Sequence, residues 1–247
     1  MFALLLLLSA ADFRFAIIGD RTGTENPGVY AQVWRDAAQA KPAFAITIGD
    51  MIQGDSPATA SREWKEAFAL MAPSLKRYYV QGNHDRDFKT HIQQPALHSF
   101  DHEGAHFVLL GDSPGDVFSA EQAEFLKADL EKHQAAKLKF VLLHRPVWFT
   151  GLHEIAQKYG VHTVFSGHVH RYARLERDGV QYVLVGSSGG SLRGHHPNDH
   201  FAEGWFYSHI IADIQGSTVK LEVKETGAPF GKSRRFLVGQ EKAAGLK

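Results

Sequence analysis

The chain has 247 residues, of which 44% are hydrophobic and 22% are charged. This balance is typical of a globular protein with a buried core and excludes a disordered segment, a collagen repeat and a coiled coil. Lys plus Arg equals Asp plus Glu at 27 each, so the net charge is zero and no strongly basic nucleic-acid surface is expected. The absence of cysteine excludes disulfides, cysteine-ligated zinc and thiol nucleophiles. The 15 histidines are the unusual count.

The first eleven residues have the pattern of a secretory signal. Five consecutive leucines precede Ser9 and Ala11, two small residues spaced for cleavage before Asp12. The apolar run is too short to span a bilayer, so no membrane segment is expected. We therefore predict a signal peptide over 1–11 and export to the periplasm or the medium. No basic residue precedes the run, and the alternative is a first buried strand in a cytoplasmic protein.

From Asp12 onward, short apolar runs alternate with amphipathic stretches, a pattern that predicts an α/β core. The predicted strands are Phe13–Ile18, Ala43–Ile48, Arg77–Val80, His106–Leu110, Lys139–Leu143 and Thr163–Phe165. The predicted helices are Tyr30–Ala40, Ser61–Met71 and Ala120–Lys132. Ser119 and Gln122 have the spacing of a capping box at the start of the third helix.

After Gly167 the pattern changes to consecutive strands joined by turns. Tyr172–Glu176 and Val180–Val185 flank Asp178-Gly179, and Ser208–Ile214 and Thr218–Lys224 flank Gln215-Gly216, so two hairpins are predicted. A glycine-rich loop, Gly186–Gly194, lies between them. No internal repeat or linker is present, and we predict a single domain over 12–247.

Metal-binding residue types follow five of the apolar runs. The segments are Gly19-Asp20, Gly49-Asp50, Gly82-Asn83-His84-Asp85, His144, and Gly167-His168-Val169-His170. Ligands of open α/β sheets bind at the carboxyl ends of the strands, so these side chains are expected at one edge. Carboxylate, amide and imidazole together suit Mn, Fe or Zn.

These five segments resemble the motifs of the calcineurin-like metallophosphoesterases, which include the purple acid phosphatases. The resemblance covers residues 12 to 170 and implies a four-layer α-β-β-α sandwich, with two mixed β-sheets flanked by helices and a metal site at the C-terminal ends of the strands. It implies a metal-dependent phosphoester hydrolase, a phosphatase or phosphodiesterase of small phosphorylated molecules. Two divalent or trivalent ions (Mn, Fe or Zn) are the implied cofactors.

The same resemblance assigns a role to each motif residue. It makes Asp50 the bridge between the two metals, places Asp20 and His170 at the first metal, and places Asn83, His144 and His168 at the second. His84 would act as a general acid or hydrogen-bond donor at the phosphoryl group, with Asp85 holding its ring. A metal-bound hydroxide would be the nucleophile.

The first motif departs from the family pattern. Thr22 stands where most members have a histidine ligand, and Gln53 stands where purple acid phosphatases have a tyrosine. A hydroxyl or an amide is a weaker ligand than imidazole for a transition metal, so a weaker first site is predicted unless the nearby Asp55 compensates. The alternatives are a degenerate member that binds a phosphate-containing ligand without turnover and, less favoured, a metal-dependent nuclease. Oligomeric state is left open.

Several further residues are candidates for substrate contact or are ambiguous motifs. Arg21, Arg86 and Arg145 adjoin motif residues and are candidate phosphate ligands, as is His196 in the loop after the glycine-rich segment. The segment 227–233 resembles a phosphate-binding loop but has one residue too few between its glycines, so we interpret it as a connection between late strands. His98, His102 and His106 are interpreted as solvated or locally bonded.

Overall fold

The structure is a computed structural model that describes residues 12–192 and 200–247. The predicted signal peptide at 1–11, the end of the glycine-rich loop and His196 lie outside the described residues. The assignment of 12–247 to a single domain stays a prediction. No helix within the described ranges is long and apolar enough to cross a membrane.

Two mixed six-stranded sheets form the centre of the molecule. The first has the order β12-β11-β10-β1-β2-β3, and its strands are β1 (Phe13–Ile18), β2 (Phe44–Thr47), β3 (Lys76–Tyr79), β10 (Ser208–Gln215), β11 (Thr218–Glu225) and β12 (Arg235–Leu237). In this sheet β1, β2 and β3 are parallel, whereas β10, β11 and β12 are added antiparallel.

The second sheet has the order β4-β5-β6-β7-β9-β8. Its strands are β4 (Leu97–His102), β5 (Ala105–Leu110), β6 (Leu138–Leu143), β7 (Thr163–Ser166), β8 (Tyr172–Arg177) and β9 (Val180–Val185). The strands β5, β6, β7 and β9 are parallel, and the two edge strands are antiparallel to their neighbours.

Helices cover the outer face of each sheet. The α-helices of the described ranges are α1 (Val29–Gln39), α2 (Pro57–Leu70), α3 (Phe88–Ile92), α4 (Ala120–Lys132) and α5 (His153–Lys158). Trp34 of α1 and Trp64 of α2 pack with residues of the first sheet, and Leu126 of α4 and Ala156 of α5 pack with residues of the second. The predicted four-layer α-β-β-α sandwich is confirmed.

Aromatic side chains join the two sheets at their inner faces. Phe15 of the first sheet lies edge-on to Phe107 and Phe140 of the second, with ring centroids 5.1 and 5.4 Å apart. All three side chains are fully buried. Burying a phenylalanine contributes roughly 1.5–3 kcal/mol, so this contact is a main source of cohesion between the sheets.

Most predicted elements are present within one to four residues of their expected ends, and the capping box of Ser119 and Gln122 is confirmed. The prediction missed β4, a half-buried edge strand in which polar and apolar residues are mixed. Of the two alternatives for His106, local bonding is confirmed and solvation is wrong. Its strand, β5, is buried along its whole length, and both ring nitrogens bond carboxylates of Asp101 and Asp129.

Candidate metal centre

The six predicted metal ligands converge at the carboxyl ends of five parallel strands from both sheets. Asp20, Asp50 and Asn83 follow β1, β2 and β3, while His144 follows β6 and the pair His168 and His170 follows β7. Parallel strands of one sheet end at the same edge, and the sandwich brings the two edges together. The predicted convergence is therefore present in the fold.

Close contacts link these six side chains to one another. His144 Nε2 lies 3.2 Å from Asp50 Oδ2, 3.0 Å from Asn83 Oδ1 and 3.3 Å from His168 Nδ1. At the other end of the cluster, His170 Nε2 lies 3.3 Å from Asp20 Oδ2. The same Asp20 oxygen accepts the backbone N–H of His168 at 2.8 Å. This bond joins the Asp20–His170 pair to the side chains around His144.

Backbone hydrogen bonds orient both outer imidazoles. His144 Nδ1 lies 2.9 Å from the carbonyl oxygen of Ile48, and His170 Nδ1 lies 2.7 Å from that of Ser191. A carbonyl only accepts, so each Nδ1 carries the proton and each Nε2 faces the cluster. A ligating imidazole is commonly held in this way by a hydrogen bond from its other nitrogen.

The electrostatics of the cluster favour a positive charge between Asp50 and His144. Burial lowers the pKa of His144, but the charge and hydrogen bond of Asp50 outweigh it and raise the pKa to about 10. In the Asp20–His170 pair, burial lowers the pKa of His170, and the hydrogen bond and charge of Asp20 raise it in net. The cluster thus stabilises a cation, and a proton or a metal ion can fill that role.

The donor set also fits two metal ions. Asp50, His144 and His168 each offer an atom within 4.8 Å of the others. Asp20 Oδ1 is buried and has no hydrogen-bond partner among residues 12–192 and 200–247, which is costly unless a cation completes its coordination. Oxygen and imidazole donors without sulfur suit the first-row transition metals predicted from the sequence.

Three of these residues are held in left-handed backbone conformations. The φ angles are 53° for Asp50, 67° for His168 and 60° for His170. Non-glycine residues pay roughly 1–2 kcal/mol for this conformation. Gly82 permits the close packing, because a Cβ there would collide with Oδ1 of Asp50. These three conformations bring the side chains of the cluster together, and other non-glycine residues with positive φ lie elsewhere in the described chain.

The residues that replace the usual first-site ligands are engaged by the backbone. The Thr22 hydroxyl lies 2.9 and 2.8 Å from the carbonyl oxygens of Asp50 and Ile52. Gln53 Oε1 accepts the backbone N–H of Gly23 at 3.1 Å, and Gln53 Nε2 lies 3.4 Å from Asp55. Thr22 and Gln53 therefore brace the loops around the site, which leaves Asp20, Asp50 and His170 as the residues predicted for the first metal.

The expected contact between Asp85 and the His84 ring is wrong. His84 Nδ1 faces the carbonyl oxygen of Gln53 at 2.7 Å, while its backbone N–H donates to Asp50 Oδ1 at 2.9 Å. Asp85 is buried and instead accepts the backbone N–H groups of Gly82, Asp50 and Met51. The Ile52 N–H is a fourth and longer donor at 3.4 Å, so the carboxylate holds the loop that carries Asp50 and not the imidazole.

Of the three candidate arginines, the structure brings Arg145 to the cluster. Its guanidinium lies 3.4 Å from His168 Nε2. The Arg21 guanidinium is buried against the carbonyl of Met51 and the carboxylate of Glu25, at 2.9 and 2.7 Å, so it is not offered to a ligand. Arg86 is exposed and donates to the carbonyl of Gly54 at 2.8 Å.

Two residues that position Arg145 were missed by the sequence reasoning. Asp112 and Asp116 accept hydrogen bonds from its guanidinium, each at 2.9 Å. Asp112 carried a usable signal, because Gly111-Asp112 follows β5 in the same way that Gly19-Asp20 follows β1. Asp116 is an exposed loop residue with no comparable pattern.

Comparison with known proteins agrees with this site. The family described as calcineurin-like phosphoesterase matches residues 13–172, more than half of the chain. Purple acid phosphatase 23 of Arabidopsis thaliana is 24% identical over 216 residues, which cover 70% of this chain and 46% of that protein. Purple acid phosphatase 15 of the same plant is 31% identical over 115 residues, 37% of this chain and 22% of that protein. The chain thus spans less than half the length of these relatives.

Solved structures show the same fold at low sequence identity. The purple acid phosphatase PPD1 from yellow lupin (Lupinus luteus) seeds has a TM-score of 0.71 at 17% identity, over 92% of this chain and 53% of that chain. GAP50, described as the anchor in the inner membrane complex of Plasmodium, has a TM-score of 0.68 at 12% identity, over 96% of both chains. From the family match, its motifs and this fold, we conclude that the chain belongs to the calcineurin-like phosphoesterase family.

Proposed function

We propose that this protein is a metal-dependent hydrolase of small phosphate esters, a phosphatase or phosphodiesterase. The observation that carries the proposal is the convergence of Asp50, Asn83, His144 and His168 on one point beside the Asp20–His170 pair. Asp50 would bridge two cations, with Asp20 and His170 on the first ion and Asn83, His144 and His168 on the second. Mn, Fe and Zn are the candidate ions.

Two bound ions would lower the pKa of a water nucleophile and stabilise the charge on the attacking and departing oxygens. The residues of this chain would supply the remaining functions. His84 is half-buried beside Asp50, with Nδ1 bonded to a carbonyl, so its Nε2 is the atom available to face the leaving oxygen. We assign it the role of proton donor to the leaving alcohol.

Arg145 would bind the phosphoryl oxygens. It lies beside His168, and Asp112 fixes its Nε at 2.9 Å while leaving other N–H groups of the fork for a substrate. Asp85 would act as a positioning residue for the Asp50 loop. Residues 1–11 remain the basis for the predicted export, and zero net charge remains the argument against stable binding of nucleic acid.

The test compares hydrolysis of para-nitrophenyl phosphate and bis-para-nitrophenyl phosphate in the presence of added Mn²⁺. Asn83→Ala and Asp50→Ala should each lose nearly all activity, because each removes a proposed ligand. Asp213→Ala is the matched control, since Asp213 pairs only with surface residues. Equal activity in wild type and both site variants would overturn the hydrolase proposal, and metal binding without turnover would favour the degenerate, binding-only alternative.

The proposed first site has fewer ligands than the second and should bind its ion more weakly. A titration of the metal-free protein with Mn²⁺ should give two steps of unequal affinity. Thr22→His adds the imidazole that the family pattern has at this position and should tighten the weaker step. The same weak-step affinity in wild type and Thr22→His would contradict this assignment.

A further inference from the structure

A polar cavity, separate from the metal centre, lies between the C-terminal half of α1, strands β10 to β12 and the loop 226–234. Its volume is about 270 Å³. This is several times the ~30 Å³ occupied by a water molecule and close to the lower limit of small-molecule sites, roughly 300 Å³. Within the part of the chain that the structure describes, no lining residue is hydrogen-bonded to the six proposed metal ligands.

Strand register places three nitrogen-bearing side chains in one row of this cavity. His209 of β10 is paired with Lys224 of β11, which is paired with Arg235 of β12. Residues directly opposite each other on neighbouring strands point to the same face of the sheet. Ile211, two residues after His209, packs in the α1 cluster, so this row faces the helix side of the sheet.

His209 is a buried polar group that the described protein atoms do not satisfy. Its side chain is 1% exposed, and neither ring nitrogen has a hydrogen-bond partner in the described part of the chain. Burial, followed by the charges of Lys224 and Arg235, lowers its pKa to about 3, so the ring is neutral at physiological pH. A buried donor or acceptor without a partner is destabilising, and a ligand that pairs with the ring would remove this penalty.

The acidic groups of the cavity already have partners. Glu225 is bonded through both oxygens to Arg234, at 2.6 and 2.8 Å. Asp36 accepts a hydrogen bond from Gln32 at 2.7 Å. These contacts leave little capacity for a cation to bind to carboxylates here.

The basic groups, in contrast, are available. Arg235 makes no ion pair within the described ranges. Lys224 contacts Glu222 at 3.3 Å, yet its side chain is only 17% exposed and two of its three N–H donors remain for another partner. The two charges that act on the His209 ring, those of Lys224 and Arg235, are both positive. The cavity therefore favours an anion.

The loop 226–234 adds a hydroxyl donor. It joins β11 to β12, as expected from the sequence, and it contains the segment that resembles a phosphate-binding loop. Gly227 and Ser233 both line the cavity. The Ser233 hydroxyl packs directly against Gly227. A Cβ at position 227 would collide with this hydroxyl, so glycine is needed to keep it in place.

We propose that this cavity is a second anion site that binds a small oxyanion of the phosphate class. Lys224 and Arg235 supply the positive charge, and His209 and Ser233 supply neutral hydrogen-bond donors. The site is separate from the metal centre and does not depend on catalysis there. Its ligand is either free phosphate or a phosphoryl group carried on a small molecule.

The test follows the His209 imidazole by NMR in the full chain loaded with Zn²⁺, a redox-inert d¹⁰ ion. The His209 resonance is identified as the imidazole signal that is missing from the spectrum of His209→Gln. Inorganic phosphate and methylphosphonate are titrated separately, and the tighter of the two identifies the source of the oxyanion. We expect a saturable shift of the His209 signal with at least one probe. No shift with either probe would mean that the cavity holds only water and would overturn the proposal.

Charge variants test whether the cations bind the probe. The double variant Lys224→Gln/Arg235→Gln should weaken the binding seen at His209 by about tenfold or more, the loss expected for a charge-assisted hydrogen bond. Lys220→Gln is the matched control, because Lys220 lies on the same face of β11 outside this cavity. An equal affinity in the double variant and wild type would also overturn the proposal. Hydrolysis of para-nitrophenyl phosphate should be retained in the double variant, so failure of this site is distinguishable from failure of the metal centre.

Discussion

Removal of the Asp85 carboxylate is expected to weaken both the fold and the metal centre. Asp85 Oδ2 accepts the backbone N–H groups of Gly82 and Asp50 at 2.8 and 3.0 Å, and its Oδ1 accepts that of Met51 at 2.7 Å. The side chain is 1% exposed, so water cannot replace it. These hydrogen bonds hold the loop that contains Asp50, the proposed bridging ligand.

The size of the effect follows from the donors left unpaired. In Asp85→Asn one amide oxygen is retained, while the new NH₂ group faces N–H donors and leaves one or two of them without an acceptor. Each buried unpaired donor costs about 1–3 kcal/mol, so we expect a loss of about 2–4 kcal/mol in the free energy of unfolding. Asp85→Ala removes every acceptor and should cost more.

Urea denaturation measures the free energy of unfolding, and the amount of Mn²⁺ bound per chain measures the effect on the proposed metal centre. Asp85→Asn should unfold at lower urea and bind less Mn²⁺ under conditions where it is still folded. Asp213→Asn, a surface carboxylate paired with Arg14, is the control and should change stability by no more than ~0.5 kcal/mol. An unchanged urea midpoint and unchanged Mn²⁺ binding in Asp85→Asn would refute the positioning role.

Three further outcomes are expected. Thr22→Val removes a hydroxyl that bonds two backbone carbonyls and should cost about 1–2 kcal/mol in urea denaturation; an unchanged midpoint would contradict this. Arg145→Gln should raise the KM for para-nitrophenyl phosphate about tenfold with Mn²⁺ binding retained, and an unchanged KM would rule out phosphoryl binding by Arg145. Burial lowers the pKa of His106, but its hydrogen bonds to Asp129 and Asp101 outweigh this and raise it in net. The ring therefore contributes its full stability below the unfolded pKa of about 6.5 and loses it as pH rises through the folded value. The stability difference between wild type and His106→Gln should be largest below about pH 6.5 and shrink as the pH rises above it, and a constant difference would contradict the linkage.

The sequence alone predicted the α/β layering and the positions of the six proposed metal ligands. A buried strand is recognisable as a continuous apolar run, whichever strands it pairs with. The ends of β1, β2, β3 and β7 are recognisable because a glycine followed by a polar residue comes after each of them. Local chemistry also fixed the start of α4, because the Ser119 capping box needs only residues close in the chain. The missed strand, β4, is a half-buried edge whose mixed polarity gives no clear period.

Only the tertiary structure decided which partner each polar group takes. The family resemblance implied that Asp85 holds the His84 ring, yet the carboxylate lies among backbone donors from two different loops. Adjacency to a motif residue suggested that Arg21 contacts a ligand, whereas its guanidinium is buried against Met51 and Glu25. Strand ends are set by local apolar runs, but hydrogen-bond partners are set by how two sheets meet, and residues far apart in the chain determine that.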